Sequence, residues 1–216
     1  MAKRNRGNPL ALAVLSCLYE RPMHPYEVAQ TLRHRAKHES IRLNYGSLYS
    51  VVDGLEQRGL ISARETVREG RRPERTVYEI TDPGVGELVD WLSELVSTPV
   101  KEYRQFEAAL SLLPVLSPEE AVALLADRAT ALRLRIAMRR AARSTAGESG
   151  LPRLFMVEDE YAEALDEAEL DWVQRLVKDI EGGSLEGVEH WRSFHERLGI
   201  EHRPAKVHAT EPEGAE

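Results

Sequence analysis

Cysteine is all but missing from this chain of 216 residues, where Cys17 stands alone. One thiol excludes an intramolecular disulfide and offers no cysteine cluster for zinc or iron–sulfur binding. Cys17 lies in the run Leu10 to Tyr19, apolar almost all round a helix, and is expected to be a buried thiol. Long apolar runs are also missing, since no other stretch approaches the roughly 20 residues of a membrane span. Lys3, Arg4 and Arg6 ahead of the 10–19 run imitate a secretory signal. Ser16 fits the small-residue cleavage pattern poorly, and Glu20-Arg21-Pro22 stops the helix, so a cytoplasmic chain is expected. A glycine-rich phosphate loop, an HExxH pair, a G-x-S-x-G elbow and an internal repeat are absent as well. No catalytic residue, cofactor or metal is therefore expected. His34 and His38, spaced i, i+4 on the expected second helix, lack a third ligand and read as solvated or phosphate-facing.

Charge is present but unevenly placed. The chain sums to −7, which by itself argues against nucleic acid. Residues 1–81, however, hold 14 Lys and Arg against 9 Asp and Glu, and the remainder holds 15 against 27. A cationic first part beside an anionic second part is the asymmetry expected when only one domain meets phosphate.

The hydrophobic spacing gives the elements. Pro9 to Tyr19 reads as a first helix, and Pro25 opens a second with Tyr26, Val28, Ala29 and Leu32 inward. A third starts near Tyr45 or Gly46 and buries Leu48, Val51, Val52 and Leu55, at i, i+3, i+4, i+7. Gly59 is placed to end it in the left-handed conformation. Leu60 to Thr66 and Thr76 to Ile80 read as strands around the turn Val67 to Arg75. Thr81-Asp82-Pro83 opens a fourth helix whose expected face is Val85, Leu88, Val89, Leu92 and Leu95, with Trp91 alongside. Ser97-Thr98-Pro99 breaks it.

An all-helical part follows, with a short helix from Phe106 to Leu113. Ser117-Pro118-Glu119-Glu120 is a capping box that starts a long helix repeating Ala121, Leu125, Arg128, Leu132 and Ile136. Ser144 to Gly150 reads as a loop. Leu154 to Ile180 reads as another long helix, with Tyr161, Leu165, Ala168, Trp172, Leu176 and Ile180 as its stripe. Glu158, Asp159 and Glu160 complement its dipole. Gly182-Gly183 ends it, and Val188 to Leu198 is a last short helix. The expected fold is mainly α with a small β-wing. Residues 1–97 are a winged helix-turn-helix DNA-binding domain, 98–200 a helical dimerisation and effector domain, and 201–216 a disordered tail. Stripes this long exceed what one copy can cover, so homodimerisation is expected through Leu10, Val14, Leu125, Leu132, Leu165, Trp172 and Leu176.

The chemistry sits in two places. In a helix-turn-helix the amino-terminal end of the second helix enters the major groove. Arg42, Asn44, Tyr45, Ser47, Tyr49 and Ser50 supply polar groups there, while Leu48 and Val51 turn inward. Arg68, Arg71, Arg72 and Arg75 surround a turn shaped by Gly70 and Pro73, a wing that can clamp phosphates or enter a minor groove. The rival reading is a winged helix that docks a protein and binds no operator.

Four blocks occur in order over residues 9–95: Pro22-Met23-His24-Pro25-Tyr26-Glu27, Asn44-Tyr45-Gly46-Ser47-Leu48-Tyr49, Leu55-Glu56-Gln57-Arg58-Gly59-Leu60-Ile61 and Tyr78-Glu79-Ile80-Thr81. Together they resemble the PadR family of bacterial transcriptional regulators. The later Glu160-Tyr161 and Ala168-Glu169-Leu170-Asp171-Trp172-Val173 look like the longer members with an extra helical domain. The resemblance implies a homodimer that represses from an inverted-repeat operator in double-stranded DNA, touches it with the third helix and the wing, and releases it when an effector binds. The effector does not carry over, because family members respond to different signals.

Overall fold

Asn8 starts the chain's first helix, α1 (Pro9–Glu20), by accepting the Leu10 N–H on its side-chain oxygen at 3.1 Å, with Pro9 at a position that needs no N–H. The computed structural model describes residues 8–67 and 75–198. Arg68, Arg71 and Arg72, and the tail expected from Glu201, lie outside them. The chain divides into two compact units, Met1–Glu102 and Tyr103–Glu216.

The first unit is a winged helix. α1 is followed by α2 (Pro25–His34), a 3-10 turn (Lys37–Glu39), α3 (Tyr45–Gln57), β1 (Ile61–Val67), β2 (Arg75–Ile80) and α4 (Asp82–Ser97). Leu10, Val14, Leu15, Cys17 and Leu18 of α1 meet Val28, Ala29 and Leu32 of α2, Leu48, Val52 and Leu55 of α3, and Trp91 of α4 in one core. Burial pushes the Cys17 thiol up to about 11, so it stays protonated at neutral pH. β1 and β2 pair antiparallel, Ile61 opposite Ile80, with a bulge at Arg64. Met23 adds an isolated antiparallel bridge on β2 by exchanging both backbone hydrogen bonds with Tyr78 at 3.0 Å.

The junction between wing and α4 is the tightest point of the unit. Gly59 turns the chain at φ +68°, where a side chain would strain the backbone. Thr81 Oγ1 donates to the Gly59 carbonyl at 2.7 Å and accepts from Gly84 N–H at 3.2 Å, capping α4. Arg58 Nη2 reaches the buried Glu87 carboxylate at 3.2 Å and ties the end of α3 to α4.

Three expectations fail here. Tyr26 is 45 % exposed, because Pro25, Val28, Ala29 and Leu32 form the side that α2 buries; His24 Nδ1 caps the helix by accepting the Tyr26 N–H. Val89, Leu92 and Leu95 lie outward, since Gly84, Glu87, Leu88 and Trp91 form the face that α4 buries. His34 and His38 do not share a helical face: α2 stops at His34, and Ala36 at φ 55° turns the chain before the 3-10 turn.

The second unit is helical throughout its described residues, with α5 (Gln105–Ser111), α6 (Pro118–Glu148), α7 (Val157–Glu181) and α8 (Val188–Leu198). Ser117 and Glu120 close the capping box in both directions and start α6. α6 runs on to Glu148, so the loop expected at Ser144 is confined to 149–156, where Arg153–Phe155 make one 3-10 turn. Ala121, Leu125 and Ala129 pack with Val173, Ile180, Val188 and Trp191, and Trp191 Nε1 donates to the Leu116 carbonyl at 2.8 Å.

Farther along, the seam between α6 and α7 is ionic. Arg135 holds Asp166 with two hydrogen bonds at 2.5 and 2.7 Å, and Arg140 and Arg143 hold Glu163 at 2.7 and 2.5 Å. The side of α7 that is buried thus carries Glu163, Asp166, Val173 and Ile180. Of the expected stripe, Ile180 is buried and Leu165 and Leu176 are half-buried, whereas Tyr161 is exposed and Trp172 is 41 % exposed, its ring edge-on to Phe106 at 6.2 Å. Arginines on α6 decide this, since each inward carboxylate finds a guanidinium.

Candidate nucleic-acid interface

A helix can present polar groups outward only if its opposite side holds it down. Leu48, Val52 and Leu55 of α3 are buried and Val51 is half-buried, so positions 47, 49, 50 and 53 are left on the open side. Asn44 starts the helix from an extended backbone, and its Oδ1 accepts the Gly46 N–H at 2.9 Å. Ser47 Oγ donates to the Asn44 carbonyl at 2.8 Å, and Ser50 Oγ donates to the Gly46 carbonyl at 3.2 Å. Tyr49 is 46 % exposed, and Arg42 stands exposed just ahead of the helix. Tyr45 is the first residue of α3, and its side chain is not among those described.

The wing flanks this helix. Tyr78 on β2 donates to the Glu56 carboxylate of α3 at 3.5 Å. Burial, then the Glu56 and Asp53 carboxylates, push the Tyr78 phenol above its usual range, so it remains a neutral donor. Arg64, at the bulge of β1, is exposed and only 3.7 Å from Glu79. Bulges re-aim side chains in this way. Arg75 opens β2, while Arg68, Arg71 and Arg72 fall in the segment 68–74 that is not described.

Along the first half of α3 the exposed side chains are therefore Ser47, Tyr49, Ser50 and Asp53 behind Asn44, with Arg42 in front and Arg64 on the wing strand. Two of these escaped the sequence reading. Asp53 is signalled only by its place one turn beyond Tyr49 and Ser50, and the bulge that lifts Arg64 has no mark in the residues. Among the described residues no group of His, Cys, Asp and Glu is placed to hold a metal ion, and no helix is long and apolar enough to cross a membrane.

The residues assigned to dimerisation divide. Leu10 and Val14 are buried in the core of the first unit, and Leu125 and Leu132 are buried in the second, so none of the four has a side-chain surface to offer a partner. Within the single chain their apolar spacing marks contact with their own unit. Leu165 and Leu176 are half-buried, and Trp172 remains accessible.

Residues 14–90 match the transcriptional regulator PadR-like family. No curated protein matches the chain. Among solved structures, the fold is similar to that of Bacillus subtilis PadR in complex with operator DNA, with a TM-score of 0.64 and 19 % identity over 79 % of this chain and 98 % of that one. Bacillus subtilis PadR in complex with p-coumaric acid gives 0.62 and 18 %, over 80 % and 95 %. The Vibrio cholerae virulence activator AphA gives 0.60 and 18 %, over 80 % and 98 %. At these identities the likeness is one of fold.

Proposed function

We propose that this chain, whose residues 14–90 are a PadR-like family domain, is a homodimeric transcriptional regulator of the cytoplasm and not an enzyme. It holds an inverted-repeat operator through α3 and the wing. The observation that carries this is the open side of α3, where Ser47, Tyr49 and Ser50 stand opposite buried Leu48, Val52 and Leu55 within a winged helix. A helix pinned in this way can enter a major groove without losing its core contacts. The excess positive charge of residues 1–81 draws that unit to phosphate, and the anionic remainder keeps the other unit off it.

Residues 1–97 serve as the DNA-binding domain and 98–200 as the dimerisation and sensing domain. The dimer surfaces are the apolar side chains each unit leaves uncovered. These are Val89, Leu92, Leu95 and Val96 on α4, and Leu134, Met138, Phe155, Tyr161 and Trp172 in the second unit. Regulation is repression, released by a small molecule that binds one spacing of the two reading heads better than the other; without that difference it would shift nothing. The p-coumaric acid complex of the Bacillus subtilis protein supports a small-molecule effector on this fold. Sequencing the DNA recovered with the protein from its own cell extract tests the function. Inverted repeats should dominate the recovered fragments, and fragments sharing no motif would favour a winged helix that docks a protein.

A further inference from the structure

We infer that α3 reads DNA as a hydrogen-bond acceptor, taking the exocyclic amino groups of adenine and cytosine on Ser47, Ser50 and Asp53. The inference rests on the regulator reading above and names the chemistry of its base contacts.

A carboxamide that reads adenine needs its oxygen and its nitrogen together, on N6 and N7. Asn44 has its Oδ1 turned to the Gly46 N–H, so the carboxamide is held at the start of the helix and its amino hydrogens suit a phosphate. A serine hydroxyl owns one hydrogen. Those of Ser47 and Ser50 point at the carbonyls of Asn44 and Gly46, which leaves oxygen lone pairs facing out. Asp53 is exposed and lies three residues beyond Ser50 and four beyond Tyr49, hence on the same side of the helix. As a carboxylate it accepts and cannot donate.

In the major groove, adenine N6 and cytosine N4 are the amino donors, whereas guanine and thymine present O6, N7 and O4 acceptors. Three acceptors in succession therefore match A and C; opposite G or T, Asp53 meets oxygen with oxygen, and Ser47 and Ser50 must give up their bonds to the Asn44 and Gly46 carbonyls to donate. Asp53 also sets an anion close to the phosphates, which weakens binding to every sequence lacking a donor for it. Discrimination rises at the cost of bulk affinity.

The test uses the full chain. Duplexes that it enriches from a random pool are resynthesised with one amino group removed at a time, purine replacing adenine and 2-pyrimidinone replacing cytosine. Loss of one amine should weaken wild-type binding about tenfold, in the range of a specific base contact. At one such position it should cost Asp53→Ala nothing further. Asp53→Asn should bind non-specific DNA several-fold more tightly and lose part of its preference for the enriched sequence. Asn44→Ser, which keeps a cap, should retain the wild-type sequence preference. Tolerance of every amine deletion would overturn the inference, as would an Asp53→Asn protein with an unchanged ratio of specific to non-specific binding. A pool that yields no enriched sequence strikes the regulator reading itself and removes this one with it.

Discussion

Two glycines on α4, two residues apart, should respond to the same substitution with opposite signs. A Cβ on Gly84 would stand 2.0 Å from the Leu60 carbonyl oxygen and 2.8 Å from Ile80 Cγ1, whereas one on Gly86 meets nothing within 4 Å. The Leu60 oxygen cannot swing aside, because it accepts the Thr81 N–H at 3.1 Å. The start of α4 must lift by about 1 Å, which costs about 1–3 kcal/mol as overpacking. The Thr81 bond that the lift stretches adds about 1 kcal/mol. Set against this is the gain of just under 1 kcal/mol that alanine brings to a helix interior. Gly84→Ala should therefore lose about 1–3 kcal/mol, while Gly86→Ala should gain a few tenths to about 1 kcal/mol. Urea denaturation followed by amide hydrogen exchange in α1 and α3 separates the first unit from the second. Equal effects for the two variants, or a stabilised Gly84→Ala, would refute the packing described at the wing junction.

Replacing Arg71 and Arg72 together with Ala should weaken specific and non-specific DNA binding alike, and the salt slope should fall by roughly one to two units; unchanged affinity at low salt would count against a wing contact. Tyr49→Ala should cost about 1–3 kcal/mol of operator binding with the unfolding curve unmoved, because its side chain is largely outside the core; a melted domain would make it a packing residue. The second unit should be acid-labile. The guanidiniums of Arg143 and then Arg140, both ion-paired to it, hold the Glu163 carboxyl below its usual range, so its contribution is complete above that range and disappears as pH falls through the lowered value. Glu163→Gln should flatten the acid limb of the stability curve, and an equally steep limb in the variant would remove Glu163 from the explanation.

Much of the first unit was legible because local rules and global packing agree there. The spacing of Leu48, Val52 and Leu55 found the inner side of α3, and the Ser117–Glu120 pair found the start of α6. Periodicity names residues that share a side of a helix, but not what that side meets. On α7 the apolar stripe with Tyr161 and Trp172 was set inward, yet Glu163 and Asp166 took that place, because their partners Arg135, Arg140 and Arg143 sit 20 or more residues away on α6. On α4 the same error put Val89 and Leu92 inside. The polar residues of α3 were visible in the sequence, whereas the direction of their hydrogens was not. The sequence marks Asn44 as a DNA-contacting residue, and only the bond to Gly46 shows that its oxygen also caps α3.

In the proposed function, two copies of this chain grip one operator through charge and shape. Binding of the full chain to a recovered inverted-repeat duplex, measured across salt concentration with the complex mass determined alongside, tests it most directly. Each phosphate neutralised releases its counterion, so affinity should fall steeply and linearly on logarithmic axes, with two protomers per duplex. A flat salt dependence, or a single protomer per duplex, would contradict the account.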